Sequence, residues 1–343
     1  MSAYLVTGAS GFLGRHLLEA IATQHPDARR IALARNPAAL IAEPWFSELG
    51  SVEVLQGDLA ALPGLAQDPL LKGLTGIYHC AAEVHHGRDH SEHQLAINIG
   101  GTESVMELAA ATSARVVFVS TSGAAGCSLD PGAAPDEDAP MCDDVVGNWP
   151  YYASKIEAER RARAMAEASG VELSSVRPPV MLGPGDHRFR STGNIIKMLR
   201  GRLPFLIKGG ISYVDIRDVA SAMVRLMSLA KMRPVYHLPG TACSVEAFFR
   251  SVGRVASAPP PKIVLPYHAA HALAGLTKWG ALRAGREKSP LPDPVVVEMA
   301  RHFWGLSSKY AAEELGFHPR DSMQTLADTV AWLRANHPEL RPD

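Results

Sequence analysis

The feature that most limits what this chain can become lies near its start. Tyr4–Thr7 is a short apolar run that ends in Thr7-Gly8-Ala9-Ser10-Gly11-Phe12-Leu13-Gly14, and a helical stretch, Arg15–Thr23, follows. A strand that turns through three glycines into a helix has few geometries open to it. Gly8 permits the tight turn, Gly11 lets main chain come close to an anion, and Gly14 lets the helix pack against the strand. The unpaired N–H groups of Ser10, Phe12 and Leu13 at the helix start then face that anion.

The chain continues in the same rhythm. Ile31–Ala34, Val52–Gln56, Gly76–Ala81, Arg115–Ser120 and Leu173–Arg177 read as strands, and Leu95–Ala111 and Tyr151–Ala168 as helices. Strands separated by helix-length segments pair in parallel through right-handed crossovers. The predicted fold class is therefore α/β, a Rossmann doubly wound parallel sheet with a smaller, mostly helical C-terminal lobe. After Pro178 the rhythm changes. Gly183–Phe205 is loop plus helix, Ser212–Leu229 begins extended and turns helical, Pro234–Leu238 is a further strand, and the rest from Thr241 is mostly helical. These segments divide the chain into a dinucleotide-binding domain, 1–182 with 209–240, and a substrate lobe, 183–208 with 241–343. The lobe is expected at the C-terminal ends of the strands, where crevices in open sheets lie.

The end of the second strand selects the cofactor. Readers of NAD place an acid there for the ribose hydroxyls, whereas this chain has Ala34-Arg35-Asn36-Pro37 and no acid between Ile31 and Leu40. Arg35 suits a 2′-phosphate, which a carboxylate would repel. NADP(H) is the expected cofactor and NAD(H) the alternative. Asp58 and Leu59 follow the third strand, where Asp58 serves either the adenine amino group or its own turn. Ala81 and Ala82 end the fourth strand with side chains small enough for a cofactor to lie against backbone.

Tyr151 and Lys155 form a Y-x-x-x-K pair, and on a helix such side chains share one face. Free tyrosine titrates near ~10, and bringing it to neutrality takes about 4 kcal/mol of preference for phenolate. One cation at ~4 Å in an effective dielectric of ~20 supplies about that much. Tyr151 can then pass a proton to or from a carbonyl oxygen while Lys155 also reaches the nicotinamide ribose. Past the fifth strand, Ser120-Thr121-Ser122 offers hydroxyls to hold the substrate oxygen, or simply forms a turn.

With these motifs in hand the sequence resembles the extended short-chain dehydrogenase/reductases of the NAD(P)-dependent epimerase/dehydratase type. The resemblance covers nearly the whole chain. It adds His79-Cys80-Ala81-Ala82, Asn98-Ile99-Gly100-Gly101-Thr102, Arg177-Pro178, Gly183-Pro184-Gly185 and Tyr213–Val219 to the motifs above. Ala34–Pro37 and Val214–Ala220 look most like dihydroflavonol and cinnamoyl-CoA reductases, with 3β-hydroxysteroid dehydrogenases close. Ser191–Ile196 resembles hopanoid-associated sugar epimerases. The resemblance implies that Thr121 is the catalytic hydroxyl beside Tyr151 and Lys155, with Ser122 adjacent. It also implies that Ser120, Pro178 and Val180 border the nicotinamide, and that Leu95–Ala111 and Tyr151–Ala168 build a homodimer. Glu83, Ser122 and Arg190 are expected at the substrate. One departure is Ala124-Ala125-Gly126, where many members carry Val-Tyr-Gly.

Bulk properties exclude several classes. A net charge of −1 gives no electrostatic case for nucleic acid. Four scattered cysteines without C-x-x-C spacing argue against a zinc site or disulfide framework, and no basic-plus-apolar leader opens the sequence. The expected setting is cytoplasmic, with no integral membrane segment and no metal. Tyr267–Ala284 is too short and too polar to span a bilayer; it reads as a lobe helix, with a surface-lying amphipathic helix as the second reading. His86/His90 and His90/His93 have helical ligand spacing, but a substrate-facing role fits this loop better. The acidic run Asp136-Glu137-Asp138 is expected to be solvated. The function these readings support is NADPH-dependent reduction of a hydrophobic carbonyl compound, or oxidation of the alcohol. Its rivals are a nucleotide-sugar epimerase or dehydratase that retains NAD, and a non-catalytic NADP(H)-sensing regulator.

Overall fold

A computed structural model describes residues 2–87, 91–285 and 291–340. Twelve strands occur among them: β1 (Ala3–Thr7), β2 (Arg29–Ala34), β3 (Glu53–Gln56), β4 (Gly76–His79), β5 (Arg115–Val119), β6 (Leu173–Arg177), β7 (Val180–Leu182), β8 (Leu206–Ile207), β9 (Gly210–Asp215), β10 (Val235–His237), β11 (Thr241–Ser244) and β12 (Val264–Leu265). Seven build one parallel sheet in the order β10-β6-β5-β4-β1-β2-β3. The chain winds outward from β1 to β3 in one direction, then returns to place β4 on the other side of β1. The β1/β4 boundary is the switch point at which such sheets open a crevice.

The sequence explains why this sheet is covered on both faces. Every residue of β1 is buried. Its alternation sends Tyr4 and Val6 to one core, with Leu13, Leu17 and Ile21 of the first helix (Phe12–Gln24) and Val219 and Met223 of the Ile216–Met227 helix. Ala3 and Leu5 go to the other, with Val105 and Leu108 of the Gly101–Thr112 helix and Ala162 of the Pro150–Ser169 helix. A strand buried on both faces has to be apolar throughout, which is how β1 and β5 read. Truncating Leu17, fully buried here, to Ala would cost about 2–5 kcal/mol.

Beyond β6 the chain does not simply extend the sheet. β7 pairs in parallel with β9, and β9 pairs antiparallel with β11, in a separate three-stranded sheet; β8 and β12 form a two-stranded one. A third core, with Leu182, Ile195, Phe248, Phe249 and Leu326, lies against that sheet. The C-terminal region is thus helical but seamed by short strands that periodicity alone does not separate from loop.

Two local readings change. The predicted helix over Leu95–Ala111 is a helix at Ser91–Leu95, a π turn at Ala96–Gly100 and a second helix at Gly101–Thr112. The wider turn carries Asn98, whose amide is used by neighbouring elements as described below. The acidic run is not uniformly solvated. Glu137 is buried and accepts hydrogen bonds from the His237 N–H (3.0 Å), the Ser308 hydroxyl (2.8 Å) and the Lys309 N–H (2.8 Å). It ties the loop after β5 to the end of β10 and to the C-terminal segment, and these bonds hold its carboxyl below the usual range despite the opposing effect of burial. No helix among the described residues is long and apolar enough to cross a membrane.

Candidate active site

The glycine loop is shaped by close approach. Gly8 has φ of +68°, and a Cβ there would stand 2.8 Å from the Ala81 backbone nitrogen; a Cβ on Gly14 would stand 2.3 Å from the Gly8 carbonyl oxygen. The loop is therefore pressed between the end of β4 and the first helix, and that helix opens at Gly11 with no side-chain cap and no acid in its first turn. An uncapped, acid-free helix start favours an anion. Ser10 is exposed at this mouth, and the Arg188 guanidinium reaches it from the lobe, donating to its Oγ at 3.2 Å.

A buried polar chain fixes the β4 end of the crevice. Thr7 Oγ1 accepts from the Ala81 N–H (3.2 Å) and donates to His79 Nδ1 (2.8 Å). His79 Nε2 donates to Thr102 Oγ1 (3.0 Å), which donates to the Asn98 carbonyl (2.6 Å). Burial pushes His79 down to about 3, so the ring is neutral. With one ring proton, Nε2–H is the tautomer that gives every link a donor and an acceptor. Asn98 then uses its side chain fully: Oδ1 accepts from the Glu83 N–H (2.8 Å), and Nδ2 donates to the Glu83 carbonyl (3.0 Å) and to Ser154 Oγ (2.9 Å). Ser154 Oγ donates to the Tyr151 carbonyl at 2.7 Å. Asn98 is thus the joint between the loop after β4 and the Tyr151 helix. Sequence reading quoted its motif without giving it this role.

Tyr151 and Lys155 lie in the first turns of the Pro150–Ser169 helix. Lys155 is buried, with Nζ 4.1 Å from the centre of the Phe118 ring on β5. Burial pushes Lys155 down to about 7, against the opposing pull of Glu159. Burial likewise pushes Tyr151 up to about 12. This differs from the expected lowering: among the protein's own groups, desolvation is what moves the Tyr151 phenol, and it moves it upward. Lowering the phenol requires further positive charge at the site.

Beneath the pair sits a buried ion pair. Glu159, fully buried, accepts from Arg177 Nη2 at 2.7 Å and from Ser120 Oγ at 2.6 Å. The Ser120 hydroxyl is therefore committed inward. Thr121, also buried, caps the short turn Ser122–Ala124 by accepting from the Gly123 N–H at 3.3 Å. That turn is pressed on the Tyr151 helix: a Cβ on Gly123 would lie 2.1 Å from Tyr152 Cε1. The Ser122 N–H donates to the Pro178 carbonyl at 2.9 Å, which brings the ends of β5 and β6 together.

One side of Tyr151 is aromatic. His86 meets Tyr151 edge-on at 5.2 Å and stacks on Tyr152 at 6.1 Å; Trp304 also stacks on Tyr152, at 5.1 Å. His86 Nδ1 is buried with no hydrogen-bond partner, and burial pushes the ring down to about 4. Trp304 comes from the segment that crosses Gly123–Gly126, anchored by the Ser128–Phe303 bridge. Its contribution was not legible, since more than 150 residues separate it from Tyr152. His90, part of both ligand spacings considered above, lies outside the described residues.

The remaining expected residues lie at strand ends or in the loops that follow them. Arg35 and Asp58 are exposed at the ends of β2 and β3. Arg35 has no ion-pair partner among the described residues, whereas Asp58 Oδ1 caps its own turn by accepting from the Ala61 N–H at 2.9 Å. Leu59 packs on Gly101. Glu83 is held through its backbone by Asn98, and the Arg190 guanidinium donates to the Val84 carbonyl at 3.1 Å across the cleft. Pro178 is buried and Val180 exposed at the start of β7.

A parallel sheet with a glycine loop at its switch point, and a Tyr/Lys helix turn beside it, defines a Rossmann-type α/β protein with the parts of an extended short-chain dehydrogenase/reductase. The match of residues 4–237 to the NAD dependent epimerase/dehydratase family goes further, and the chain belongs to that family. It is 26% identical to a putative dihydroflavonol 4-reductase of Synechocystis, over 97% of this chain and 95% of the relative. It is 24% identical to sterol demethylase protein B of Methylococcus capsulatus, over 96% and 98%. The solved structure of a nucleoside-diphosphate-sugar epimerase from Pseudomonas aeruginosa, 20% identical, covers 99% of both chains with a TM-score of 0.77 and shares the fold.

Proposed function

We propose that the chain is an NADP(H)-dependent oxidoreductase that reduces a ketone or other carbonyl of a hydrophobic small molecule, or oxidises the alcohol. The observation that carries this reading is the half-buried Tyr151 one helical turn from the buried Lys155, with an aromatic wall of His86, Tyr152 and Trp304 beside it. The helix start at Gly11, uncapped and free of acid, fits a dinucleotide pyrophosphate on the N–H groups of Ser10, Phe12 and Leu13, with Gly8 and Gly14 allowing the loop to pack closely beneath it. Arg35 would hold the 2′-phosphate, Asp58 and Leu59 would border the adenine, and Ala81, Ala82, Pro178 and Val180 would border the nicotinamide half. When bound, the nicotinamide supplies or accepts hydride.

The protein's own residues handle the proton. Thr121, with Ser122 beside it, holds the carbonyl oxygen. Tyr151 gives its proton to that oxygen as negative charge develops there, and takes it back in the oxidative direction. Lys155 stabilises the phenolate left behind. Its position near neutrality lets it release or accept a proton at little cost. Ser120 acts through Glu159 by keeping that carboxylate fixed under Lys155. His86 offers its unpaired nitrogen to a polar group of the substrate, while Tyr152 and Trp304 give the wall an apolar, planar-accepting character. Glu83 and Arg190 close the far side.

The reductase and sterol-enzyme names of the two relatives fit a hydrophobic substrate. The epimerase alternative, with retained NAD, is disfavoured by Arg35 at the position where an acid serves NAD. A non-catalytic regulator would have no use for an intact Tyr/Lys pair. A homodimer in the cytoplasm accompanies the proposal. The test is a screen of aromatic, steroidal and β-keto acyl carbonyls for NADPH oxidation, run in parallel with NADH. Arg35→Asp is expected to reverse the coenzyme preference. Tightly held NAD in the purified protein, with no net coenzyme turnover on any carbonyl, would replace this reading with the epimerase one.

A further inference from the structure

We infer that the helix Tyr267–Arg283 docks the protein on the surface of an anionic lipid bilayer through its outward face. This helix is built inside out. Its buried positions are Ala270, Ala274 and Ala281, whereas Leu273, Leu276, Trp279 and Leu282 are 39%, 63%, 55% and 65% exposed. Surface helices ordinarily turn their large apolar side chains inward. Here the inner face meets the Pro294–Ala300 helix and Ile207, Leu265 and Val297 through alanines, and that close contact leaves no room for leucine or tryptophan.

The exposed residues are spaced to share one side. Ala269, Ala272, Leu273, Leu276, Trp279, Gly280 and Arg283 recur at three- and four-residue intervals and are all exposed. The sole charge in that stripe is Arg283, whose guanidinium lies 4.6 Å from the Trp279 ring centre. An amphipathic surface helix carries this combination of leucine and tryptophan on the lipid side with a cation at the rim.

Charge points to the same partner. From Ala247 to Gly285 the sequence has no Asp or Glu and five Lys or Arg, in a chain whose net charge is −1. Exposed Lys262 and Ile263 precede the helix, and Ile263 is itself among the exposed large apolar residues. Lys278 is half-buried against Asp293, whereas Lys262 before the helix and Arg283 at its end are exposed and placed to meet lipid phosphates. A second copy of the chain fits less well. Seventeen residues make a helix about 25 Å long, and pairing two strips about 10 Å wide falls well below the roughly 1,200 Å² of a stable interface.

Docking here would place the entrance of the lobe at the membrane. A recess lined by Tyr267 of this helix, Trp149, Arg301 and His302 opens beside it, and Trp149 touches Tyr152 at 5.9 Å. Lipid binding itself does not depend on the oxidoreductase reading and is measured separately from turnover.

The full chain is mixed with phosphatidylcholine vesicles, with and without phosphatidylglycerol, and sedimented. It is expected to pellet with the anionic vesicles and to bind neutral ones about fivefold less for each cation engaged. Trp279 is the one exposed tryptophan among five, so its emission is expected to shift to the blue on binding, and Trp279→Phe removes the shift but keeps the sedimentation. Leu276→Glu combined with Trp279→Glu is expected to abolish sedimentation while the far-UV circular dichroism stays unchanged. Wild type that stays in the supernatant at low salt overturns the proposal, as does a double variant that pellets like wild type. A solution dimer that the double variant converts to monomer assigns the face to a second copy instead, and overturns it too.

Discussion

Two helices of this protein depart from the usual apolar-inside pattern, in opposite directions. The Pro150–Ser169 helix buries Ser154, Lys155 and Glu159, while the Tyr267–Arg283 helix buries alanine and exposes leucine and tryptophan. The first is answered within the fold: Asn98 meets Ser154, Phe118 lies under Lys155, and Arg177 and Ser120 meet Glu159. The second is not: Leu276, Trp279 and Leu282 remain more than half exposed. A buried polar side chain without a partner costs stability, so its presence requires a compensating network, and here Asn98, Phe118, Arg177 and Ser120 supply it. An exposed apolar face costs little in isolation, and its meaning lies in what it meets outside the molecule.

Substitutions can break or sharpen this contrast. The largest expected effect is on chemistry: Tyr151→Phe should lower turnover by about 10²–10⁴-fold while NADPH binding, followed by fluorescence titration, stays as in wild type. Turnover unaffected by the change would remove Tyr151 from the mechanism. Next is Glu159→Ala, which leaves Arg177 buried without its carboxylate; denaturant unfolding is expected to show a loss of about 3–5 kcal/mol. A loss under about 1 kcal/mol would mean that the ion pair is not needed to hold the helix.

Lys155→Met should act in the other direction on stability. The folded chain holds this lysine down to about 7, below its ordinary 10.5, so the unfolded chain binds the extra proton between those values. The cost to the wild type is full below pH 7 and shrinks as the pH rises toward 10. Calorimetry should therefore show the methionine variant more stable by a few kcal/mol at pH 7, with the gap narrowing at pH 9, and catalytically impaired at both. A gap that widens with pH would reverse the sign of the argument. The smallest effect belongs to the outer helix: Leu276→Lys should change unfolding free energy in water by no more than about 0.5 kcal/mol. A larger loss would show that this face is packed within the molecule.

Much of the sheet was legible because its signals are local. Leu173–Arg177 is the same in pattern and structure, and the glycine loop falls between β1 and the first helix. The Tyr151/Lys155 spacing likewise needed only helical geometry. What escaped was long-range. The pairing of β7 with β9 and β11 joins short segments whose periodicity is too brief to read. Glu137 looked like one of three solvated acids until His237, Ser308 and Lys309 closed on it. The π turn at Ala96–Gly100 has ordinary helical composition, and only Asn98's partners distinguish it. Trp304 entered the site from the far end of the chain.

By itself the sequence determined the parallel α/β architecture, the place of the anion-binding turn and the one-turn separation of Tyr151 from Lys155, since each follows from spacing within a few residues. Only the tertiary structure decided how those groups titrate, which acids are buried and which ring stands beside the phenol. Those properties depend on how much water is excluded and which charges approach across the sheet, and desolvation is a property of the assembled core that no local pattern encodes.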